Sequence, residues 1–510
     1  MTLRSRTEVR GSIAQELAKD RLGVSAVVFF VMSAAAPLTV VAGIIPVAYF
    51  VTGLLGIPIA FIVVGLVLAL WSVGYVAMSR HLPHAGAFYA YISQGLGRVT
   101  GVGAAWVSLL VYNALQVALY GGFGATAAPL FNQHARLDLP WWVFALVMWA
   151  FVTVLGLYRV DLNGKVLAVL LVVEVVVIGL YDMAFALDPA KGKGLNFTTY
   201  SPNELFTSGI GALLAIAVLG FTGFETTVVF SEESRNPRRT IPAATYAAIA
   251  FITALYSISA WAMSVATGVG DIAGQAEKQQ GNLVFALAGD RLGTTAADIG
   301  NFLLLTSMFA AAISFHNTSA RYTFALGREG VLPRTFGGTS VAGVPRAGSL
   351  AQSVLGLAII IVYAIGGWDP FVKLFYTLGT SGGFGALILL AWSAVAIFVY
   401  FLRHREHAES TWTTTIAPLL AIVATMIMLV LAIANFATML GIPEDDPLRW
   451  GVPAAFLIIA LLGMAYGAWL RLARPAVYAA IGLGAKSTTT SVLAASLQPN
   501  TQHPGGEGRA

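Results

Sequence analysis

Apolar runs of about 20 residues recur along nearly the whole of this 510-residue chain. Each run is long enough to cross a hydrocarbon core about 30 Å thick as a helix. The chain is 57% hydrophobic and only 10% charged, whereas soluble domains carry about 25% charged residues. The pattern therefore predicts an all-α integral membrane protein, because few other structures satisfy their backbone groups in lipid.

We predict twelve membrane spans. Their approximate bounds are 24–50, 54–79, 100–130, 140–158, 165–187, 208–231, 241–267, 297–325, 347–366, 369–402, 414–440 and 450–471. The first run is too long and lies too deep in the chain for a cleaved signal peptide. We expect a polar tail over residues 1–22, a twelve-helix membrane domain over 23–471, and a disordered tail over 472–510, which ends in Thr, Gln, Pro and Gly.

The basic residues are distributed unequally between the loops. With an even number of spans both tails lie on one side, and placing them in the cytoplasm leaves 22 of the 29 Lys and Arg inside and seven outside. This is the positive-inside pattern of membrane proteins. It also accounts for the net charge of +5 without a nucleic-acid partner. We therefore expect a multi-pass plasma-membrane protein with both termini in the cytoplasm and the lipid bilayer as its surroundings.

Two of the predicted spans are interrupted. Residues 36–43 (APLTVVAG) interrupt the first span, and residues 220–225 (GFTGFE) interrupt the sixth. Pro37 removes a backbone donor, and broken backbone is tolerated in a bilayer only where protein buries it or it lines a cavity. Both breaks lie about 21 Å along their helices, so we expect them to meet near the midplane. Breaks at matching positions of two halves indicate inverted repeats around a transport site, whereas either break alone is also typical of a simple kink.

Several motifs resemble those of the amino acid–polyamine–organocation permeases. They are Phe221-Thr222-Gly223-Phe224-Glu225, the loop 231–239 (SEESRNPRR) with the following Ile241-Pro242, the segment 86–91 (GAFYAY), and Arg328-Glu329-Gly330-Val331-Leu332-Pro333. Together they are specific for the family and not for one substrate.

The resemblance covers roughly residues 20–475 and implies a leucine-transporter-like fold. In that fold five plus five inverted helices are followed by two additional C-terminal helices. The repeats would occupy about 23–187 and 208–402, and the extra helices about 414–471. The implied function is secondary active transport of an amino acid or a related amine by alternating access around the broken helices 1 and 6.

The resemblance also implies a set of substrate-binding residues. They are Ala36, Leu38, Thr39, Val40, Ser108, Leu109, Asn113, Gly220, Phe221, Thr222 and Phe315. The family's usual glycines are missing from the helix 1 break, where Thr39 adds a hydroxyl that either meets substrate or bonds the preceding turn. Phe221 either faces the site or packs in the core.

Two acidic residues within the apolar spans are candidates for coupling. Glu174 occupies the helix 5 position where proton-coupled relatives often carry a lysine, and a charged carboxylate there is costly unless it is paired or hydrated. We predict that Glu174 carries a proton or binds a cation, or alternatively makes a structural hydrogen bond to helix 1 or 8. We assign Glu225 to helix 6 stability and gating.

The loop after helix 6 is rich in charge. We expect Glu232, Glu233, Arg235, Arg238 and Arg239 to be cytoplasmic and mostly hydrated, with some pairing across the inner side to Arg80, Arg321 or Arg328.

Other functional classes fit the sequence less well. The chain has no cysteine and no His pair at metal-ligand spacing, so we expect no metal or cofactor. It also has no Gly-rich loop of the ATP-binding type. A membrane enzyme or a substrate sensor is therefore the less favoured alternative. Transport would be driven by protons, as symport or antiport, by another cation, or by exchange without proton coupling. The pattern indicates no oligomeric state.

Overall fold

The computed structural model describes residues 22–82, 84, 86–158, 160–341, 343–404 and 409–484, without the side chains of 160–167. The predicted N-terminal tail, apart from Leu22, lies outside these residues. No β-strand occurs in the described ranges, where a single isolated parallel bridge joins Leu22 to Ser234. This part of the chain is otherwise helices and connecting turns.

The α-helices follow one another from Val24 to Ala480. They are α1 (Val24–Ala35), α2 (Pro37–Thr39), α3 (Ile45–Thr52), α4 (Ile57–His81), α5 (Ala87–Leu96), α6 (Arg98–Ala135), α7 (Trp141–Gly156), α8 (Val160–Leu187), α9 (Pro202–Leu205), α10 (Ile210–Phe221), α11 (Pro237–Thr267), α12 (Ile272–Gln279), α13 (Leu283–Leu292), α14 (Thr294–Arg328), α15 (Arg346–Gly366), α16 (Leu378–Arg403), α17 (Ala417–Ala434), α18 (Phe436–Leu440), α19 (Leu448–Ala473) and α20 (Pro475–Ala480).

Tighter and wider helical turns extend several of these helices. π-Helical turns cover Val40–Ile44, Pro370–Thr377 and Trp412–Ile416, and 3₁₀ turns cover Thr198–Tyr200, Phe224–Glu233, Gln280–Asn282 and Arg334–Gly337. Such turns often mark functional or strained positions inside long helices.

Eleven helical segments of the described chain are long and apolar enough to cross a membrane. They are Val24–Thr52, Ile57–His81, Arg98–Ala135, Ala168–Leu187, Ile210–Glu233, Pro237–Thr267, Thr294–Arg328, Arg346–Gly366, Pro370–Arg403, Trp412–Ala434 and Leu448–Ala473. The prediction of an all-helical membrane protein is confirmed. At the predicted fourth span the structure has the apolar helix α7, which is shorter than the others at 16 residues.

The interrupted spans lie inside the bundle. In the most apolar window of Ile210–Glu233, 94% of residues are buried, against 22% for Leu448–Ala473 at the periphery. Helix α1 packs against α8, α11 and α14, and α14 also packs along α6. The broken helices are therefore enclosed by protein, which is where a bilayer tolerates irregular backbone.

The C-terminal region differs from the predicted boundary. Helix α19 continues to Ala473, α20 follows, and the chain stays packed against the protein as far as Gly484. Ile481 is fully buried. Residues 485–510 of the predicted disordered tail lie outside the described residues.

Candidate functional site

The first helix breaks at Ala36, which adopts the left-handed conformation with φ 47° and ψ 67°. A non-glycine residue rarely takes this conformation, so surrounding groups must hold it there. The hydroxyl of Tyr256 donates to the carbonyl oxygen of Ala35 at 2.9 Å. Pro37 then starts a new helix, whose first N–H groups have no partner within the helix.

Glu174 and Ser307 receive the N–H groups that the break leaves free. The N–H of Leu38 donates to Glu174 Oε1, and the N–H of Thr39 points at Ser307 Oγ at 3.4 Å. Ser307 Oγ in turn donates to Glu174 Oε1 at 2.7 Å and accepts from Thr39 Oγ1 at 3.2 Å. Glu174, on α8, therefore makes hydrogen bonds to the first predicted span through Leu38 and to the eighth predicted span, α14, through Ser307. These are the bonds of the structural alternative.

The sixth helix breaks at Thr222 and Gly223. Thr222 is extended, with ψ 128°, and Gly223 has φ 115°, which favours glycine. Glu225 stabilises the break. Its Oε2 accepts a hydrogen bond from the Gly223 N–H at 2.9 Å, and its Oε1 accepts one from the Tyr112 hydroxyl at 3.0 Å. The hydroxyl of Tyr75 donates to the Glu225 carbonyl oxygen at 2.7 Å.

The two breaks lie against each other. A Cβ built on Gly223 would stand 2.8 Å from Ala34 Cβ, and one on Gly220 would stand 3.3 Å from Val40 Cγ1. The prediction that the interruptions meet is confirmed. A larger residue at position 223 would force the broken helices apart.

A cavity opens beside the breaks. The cavity has a volume of about 70 Å³. On the same measure one water needs about 10–15 Å³. It is lined by Ala34, Ala35, Ala36, Thr39, Val40, Ile44, Leu115, Ala118, Leu119, Leu219, Thr222, Ala311, Phe315, Phe375, Tyr376, Gly379 and Thr380. We call it the central cavity.

Five of the predicted substrate-binding residues line the central cavity. They are Ala36, Thr39, Val40, Thr222 and Phe315. The other six are not on its wall. They are Leu38, Ser108, Leu109, Asn113, Gly220 and Phe221.

The two polar residues among these six make hydrogen bonds elsewhere. Ser108 donates to the Ala104 carbonyl oxygen of its own helix at 2.8 Å. Asn113 bonds Leu109 O and Ser319 Oγ at 2.6 and 3.2 Å.

The apolar members of the six pack in the core. The ring of Phe221 packs 6.2 Å from that of Phe61, so its alternative core role is the one observed. Gly220 lies against Phe61 and Val40, Leu38 is fully buried, and Leu109 packs on the core as a partly buried residue.

Sequence reasoning missed two walls of the cavity. On α6 the lining residues are Leu115, Ala118 and Leu119, about two to three turns beyond Ser108 and less than two turns beyond Asn113. The second wall comes from the span Pro370–Arg403, which had no assigned role. Its small and polar stretch, residues 379–383 (GTSGG), was the available signal.

A second cavity lies at one end of the central cavity. Its wall includes the amide side chains of Gln133, Gln279 and Asn301, and it shares only Phe375 with the central cavity. We call it the vestibule. The Phe375 ring therefore stands between the two spaces.

Two ion pairs lie beyond the opposite end, because α14 runs from Asn301 in the vestibule, past Phe315 on the cavity wall, to Arg321. Arg321 binds both carboxylate oxygens of Glu233, at 2.5 and 3.2 Å, and Arg328 binds both oxygens of Glu232 at 2.9 Å. Arg321 also lies over the Phe230 ring, 5.0 Å from its centroid. We call these four charged residues the ion-pair gate.

The expectation that this loop is mostly hydrated is corrected for its acids. Only 1% of the Glu233 side chain is exposed, and 11% of Glu232. Burial is possible because each carboxylate receives a two-point bond from an arginine. Arg235, Arg238 and Arg239 are exposed, as expected.

The sequence model of the amino acid permease family matches residues 26–474. The chain belongs to this family. It is similar to the lysine-specific permease of Lactococcus lactis subsp. cremoris (strain MG1363), at 26% identity over 69% of this chain and 69% of the relative. It is also similar to the branched-chain amino acid permease of that strain, at 24% over 72% and 79%. The low-affinity putrescine importer of Escherichia coli (strain K12) is 24% identical over 55% and 61%.

The family and these relatives are transporters, so the resemblance read from the motifs is confirmed. The permease is accordingly a multi-pass membrane protein and not an enzyme.

Filling the central cavity tests whether it is the transport site. Thr39→Trp and Thr222→Trp each place a large ring in the cavity from a different broken helix. Overfilling costs about 1–3 kcal/mol, and each 1.4 kcal/mol is about tenfold in binding, so we expect uptake to fall at least about fivefold. Radiolabelled amino acid uptake into proteoliposomes measures this.

The matched control is Val430→Trp, which adds the same ring at a position that is 60% exposed on α17. Uptake at the parent rate by both cavity variants, once they are shown to be folded, would place the transport site elsewhere.

Proposed function

We propose that this permease is a secondary active transporter that moves an amino acid or related amine across the plasma membrane by alternating access. The observation that carries the proposal is a cavity beside two helix breaks, with the ion-pair gate beyond it along α14 and the Phe375 ring between it and the vestibule. Closure by separate groups at the two ends is what a transporter that opens to one side at a time requires.

The proposal includes five plus five inverted helices followed by two more. The breaks at Ala36 and Gly223 lie in spans five apart, as inverted repeats require. In this arrangement α7, at the predicted fourth span, is added to the eleven longer helices as a further crossing. Its 16 residues reach only about 24 Å. The proposed transporter domain covers residues 23–471, and the C-terminal segment as far as Gly484 packs against it.

The breaks supply groups that suit a zwitterion. The N-terminus of a helix carries partial positive charge and favours a carboxylate, whereas a helix C-terminus favours an ammonium. Helix α2 begins at the cavity wall and α10 ends there. We propose that the substrate ammonium faces the last carbonyls of α10 near Thr222 and that its carboxylate lies at the start of α2, where it would compete with Glu174 and Ser307 for the N–H groups of Leu38 and Thr39.

Glu174 is the proposed proton carrier. One chain of hydrogen bonds, Glu174–Ser307–Thr39, joins its carboxylate to the cavity wall. An ionised carboxylate holds the Leu38 N–H by a charge-assisted bond, which protonation weakens. Protonation of Glu174 and the shape of the substrate site are thereby linked. In the alternative, an exchanger without proton coupling, Glu174 only fixes the break.

Replacing Glu174 by the neutral Gln tests the coupling. One pH unit is worth about 1.4 kcal/mol per proton, or about tenfold accumulation. We expect Glu174→Gln to lose that accumulation while keeping exchange, because the amide oxygen can still accept from Ser307. Substrate accumulation in proteoliposomes, with and without an inward proton gradient at equal membrane potential, measures the difference.

The control for this test is Glu277→Gln, which neutralises an exposed acid far from the breaks. If Glu174→Gln accumulates substrate as steeply as the parent, Glu174 is a structural residue and the exchanger is favoured.

The proposed topology places both termini and the ion-pair gate in the cytoplasm. The support is the 22 of 29 basic residues on that side.

Single cysteines test the topology cleanly because the permease has none of its own. We expect an impermeant maleimide to label Lys278→Cys on intact cells and to label Arg238→Cys only after permeabilisation, since both side chains are exposed and the proposed topology puts them on opposite sides of the membrane. Mass shift on a gel reads out the labelling. The reverse pattern would overturn the orientation.

A further inference from the structure

Resting on the proposed transport function, we infer that the substrate is an electrically neutral amino acid. Cationic amino acids and diamines are excluded, and Thr380 contributes to the selection. The inference comes from the walls of the central cavity and from the groups that the nearby acids already bind.

The wall has no charge to offer a substrate side chain. Every described residue that lines the central cavity is apolar or carries only a hydroxyl. Six of these residues are alanine or glycine: Ala34, Ala35, Ala36, Ala118, Ala311 and Gly379. Phe315, Phe375 and Leu119 bound the cavity, so a substrate side chain would lie against apolar groups.

The two acids near the breaks do not compensate. Glu174 is hydrogen-bonded to Leu38 and Ser307, and Glu225 to Gly223 and Tyr112, and neither lines the cavity. A second ammonium on the substrate would therefore be buried without a counter-charge, which is strongly unfavourable. A neutral side chain meets no such cost.

One polar group on the wall is left for the substrate. The hydroxyl of Thr380 is buried, lines the cavity beside the Tyr376 hydroxyl and makes no hydrogen bond of normal geometry within the described structure. The hydroxyl of its neighbour Tyr376 already donates to the Met439 carbonyl oxygen at 2.8 Å. A buried polar group without a partner is costly, so a bound substrate that bonds Thr380 would relieve that cost.

Uptake by reconstituted full-length protein tests the inference. We expect transport of glycine, alanine or serine, and at least about tenfold slower transport of lysine and putrescine. Thr380→Val should raise the KM of the best substrate about three- to tenfold, as expected for the loss of one neutral hydrogen bond, and Thr380→Ser should restore it. The control Thr425→Val changes a buried threonine that bonds only its own helix.

The outcomes separate the inference from the proposed function. Uptake of lysine or putrescine that Thr222→Trp blocks would overturn the neutral substrate and leave transport standing. An unchanged KM in Thr380→Val would remove Thr380 from the selection. Absence of uptake for every amino acid and amine would overturn the transport function itself.

A separate observation concerns the C-terminal segment. The carboxylate of Glu329, directly after α14, accepts from His84 Nε2 at 2.7 Å, from the Tyr89 hydroxyl, and from the N–H groups of Gly482 and Gly484 at 2.8 Å each. Its side chain is 0% exposed. We propose that residues 475–484 form a latch that holds the ion-pair gate closed.

The geometry of the latch requires glycine at positions 482 and 484. Gly482 and Gly484 have φ 75° and 60°, and an added Cβ would stand 2.8 Å from Ser93 Cβ or from the His84 ring. Burial by itself would raise the pKa of Glu329, but the His84 ring and the hydrogen bonds from Tyr89 and Gly482 outweigh it and keep that pKa below its usual value. Glu329 therefore stays ionised at neutral pH, and its contribution is lost only in acid.

The latch is joined directly to the gate. Glu329 follows Arg328, whose partner is Glu232, and the His84 N–H donates to Ser231 Oγ at 3.1 Å, just before Glu232. Release of the C-terminal segment removes two hydrogen-bond donors from the buried Glu329. The loss weakens the gate at Arg328, which precedes Glu329, and at Glu232, which follows Ser231.

Thiol labelling at the gate tests the latch. Asn317→Cys provides the only thiol in the chain, at a buried position whose carbonyl oxygen accepts from Arg321. We expect Gly482→Ala, Gly484→Ala and Glu329→Gln each to speed its labelling from the cytoplasmic side several-fold. Glu233→Gln, which breaks the gate directly, is the positive control, and Gly270→Ala, with no atom near its added Cβ, is the matched one.

Labelling at the parent rate in all three latch variants, with the Glu233→Gln control accelerated, would overturn the latch. Retained substrate protection of the folded variants against heat shows that any acceleration does not come from unfolding.

Discussion

Hydrogen bonding at the two helix breaks is the constraint on which the rest of the structure depends. A bilayer provides no water for a freed N–H or carbonyl group, so every group released at Ala36 and Gly223 needs a partner from another helix. Tyr256, Glu174 and Ser307 supply partners for the first break, and Glu225 with Tyr75 and Tyr112 fixes the second. The helices that carry these side chains are thereby held around the central cavity, and the breaks persist because they are over-determined.

The two acids differ in what they can transmit. Glu225 bonds the Gly223 N–H two residues before it and a tyrosine buried in the core, so it ties the second break to a rigid surrounding. Glu174 is two hydrogen bonds from the hydroxyl of Thr39 on the cavity wall. A change of charge at Glu174 is therefore felt where substrate would bind, whereas a change at Glu225 acts on the integrity of the break. This difference is the physical basis for assigning the coupling role to Glu174.

The two ends of the cavity are closed by different kinds of interaction. At one end a single aromatic ring, Phe375, separates the cavity from the vestibule, and an apolar ring can turn without leaving a charge unpaired. At the other end Arg321 and Glu233 are almost fully buried, and removing one partner of such a pair costs several kcal/mol. Opening of this end requires the pairs to separate into water together. The Glu329 cluster adds the C-terminal segment to the same end, so that opening there is a concerted event.

The sequence by itself determined the membrane class, eleven of the twelve predicted spans, the family and both interruptions, because apolar run length, proline and glycine act locally along one helix. It also identified Thr39, Thr222 and Phe315, which lie at or near those local signals. It did not place the wall on α6, which lies about two turns beyond Ser108, nor the wall that includes Thr380. It also missed the burial of Glu233 and the docking of Gly482 on Glu329. These features depend on how far one helix slides and turns against another. That choice is made by packing between residues more than 80 positions apart, as in the pair of Glu233 with Arg321, and no local pattern records it.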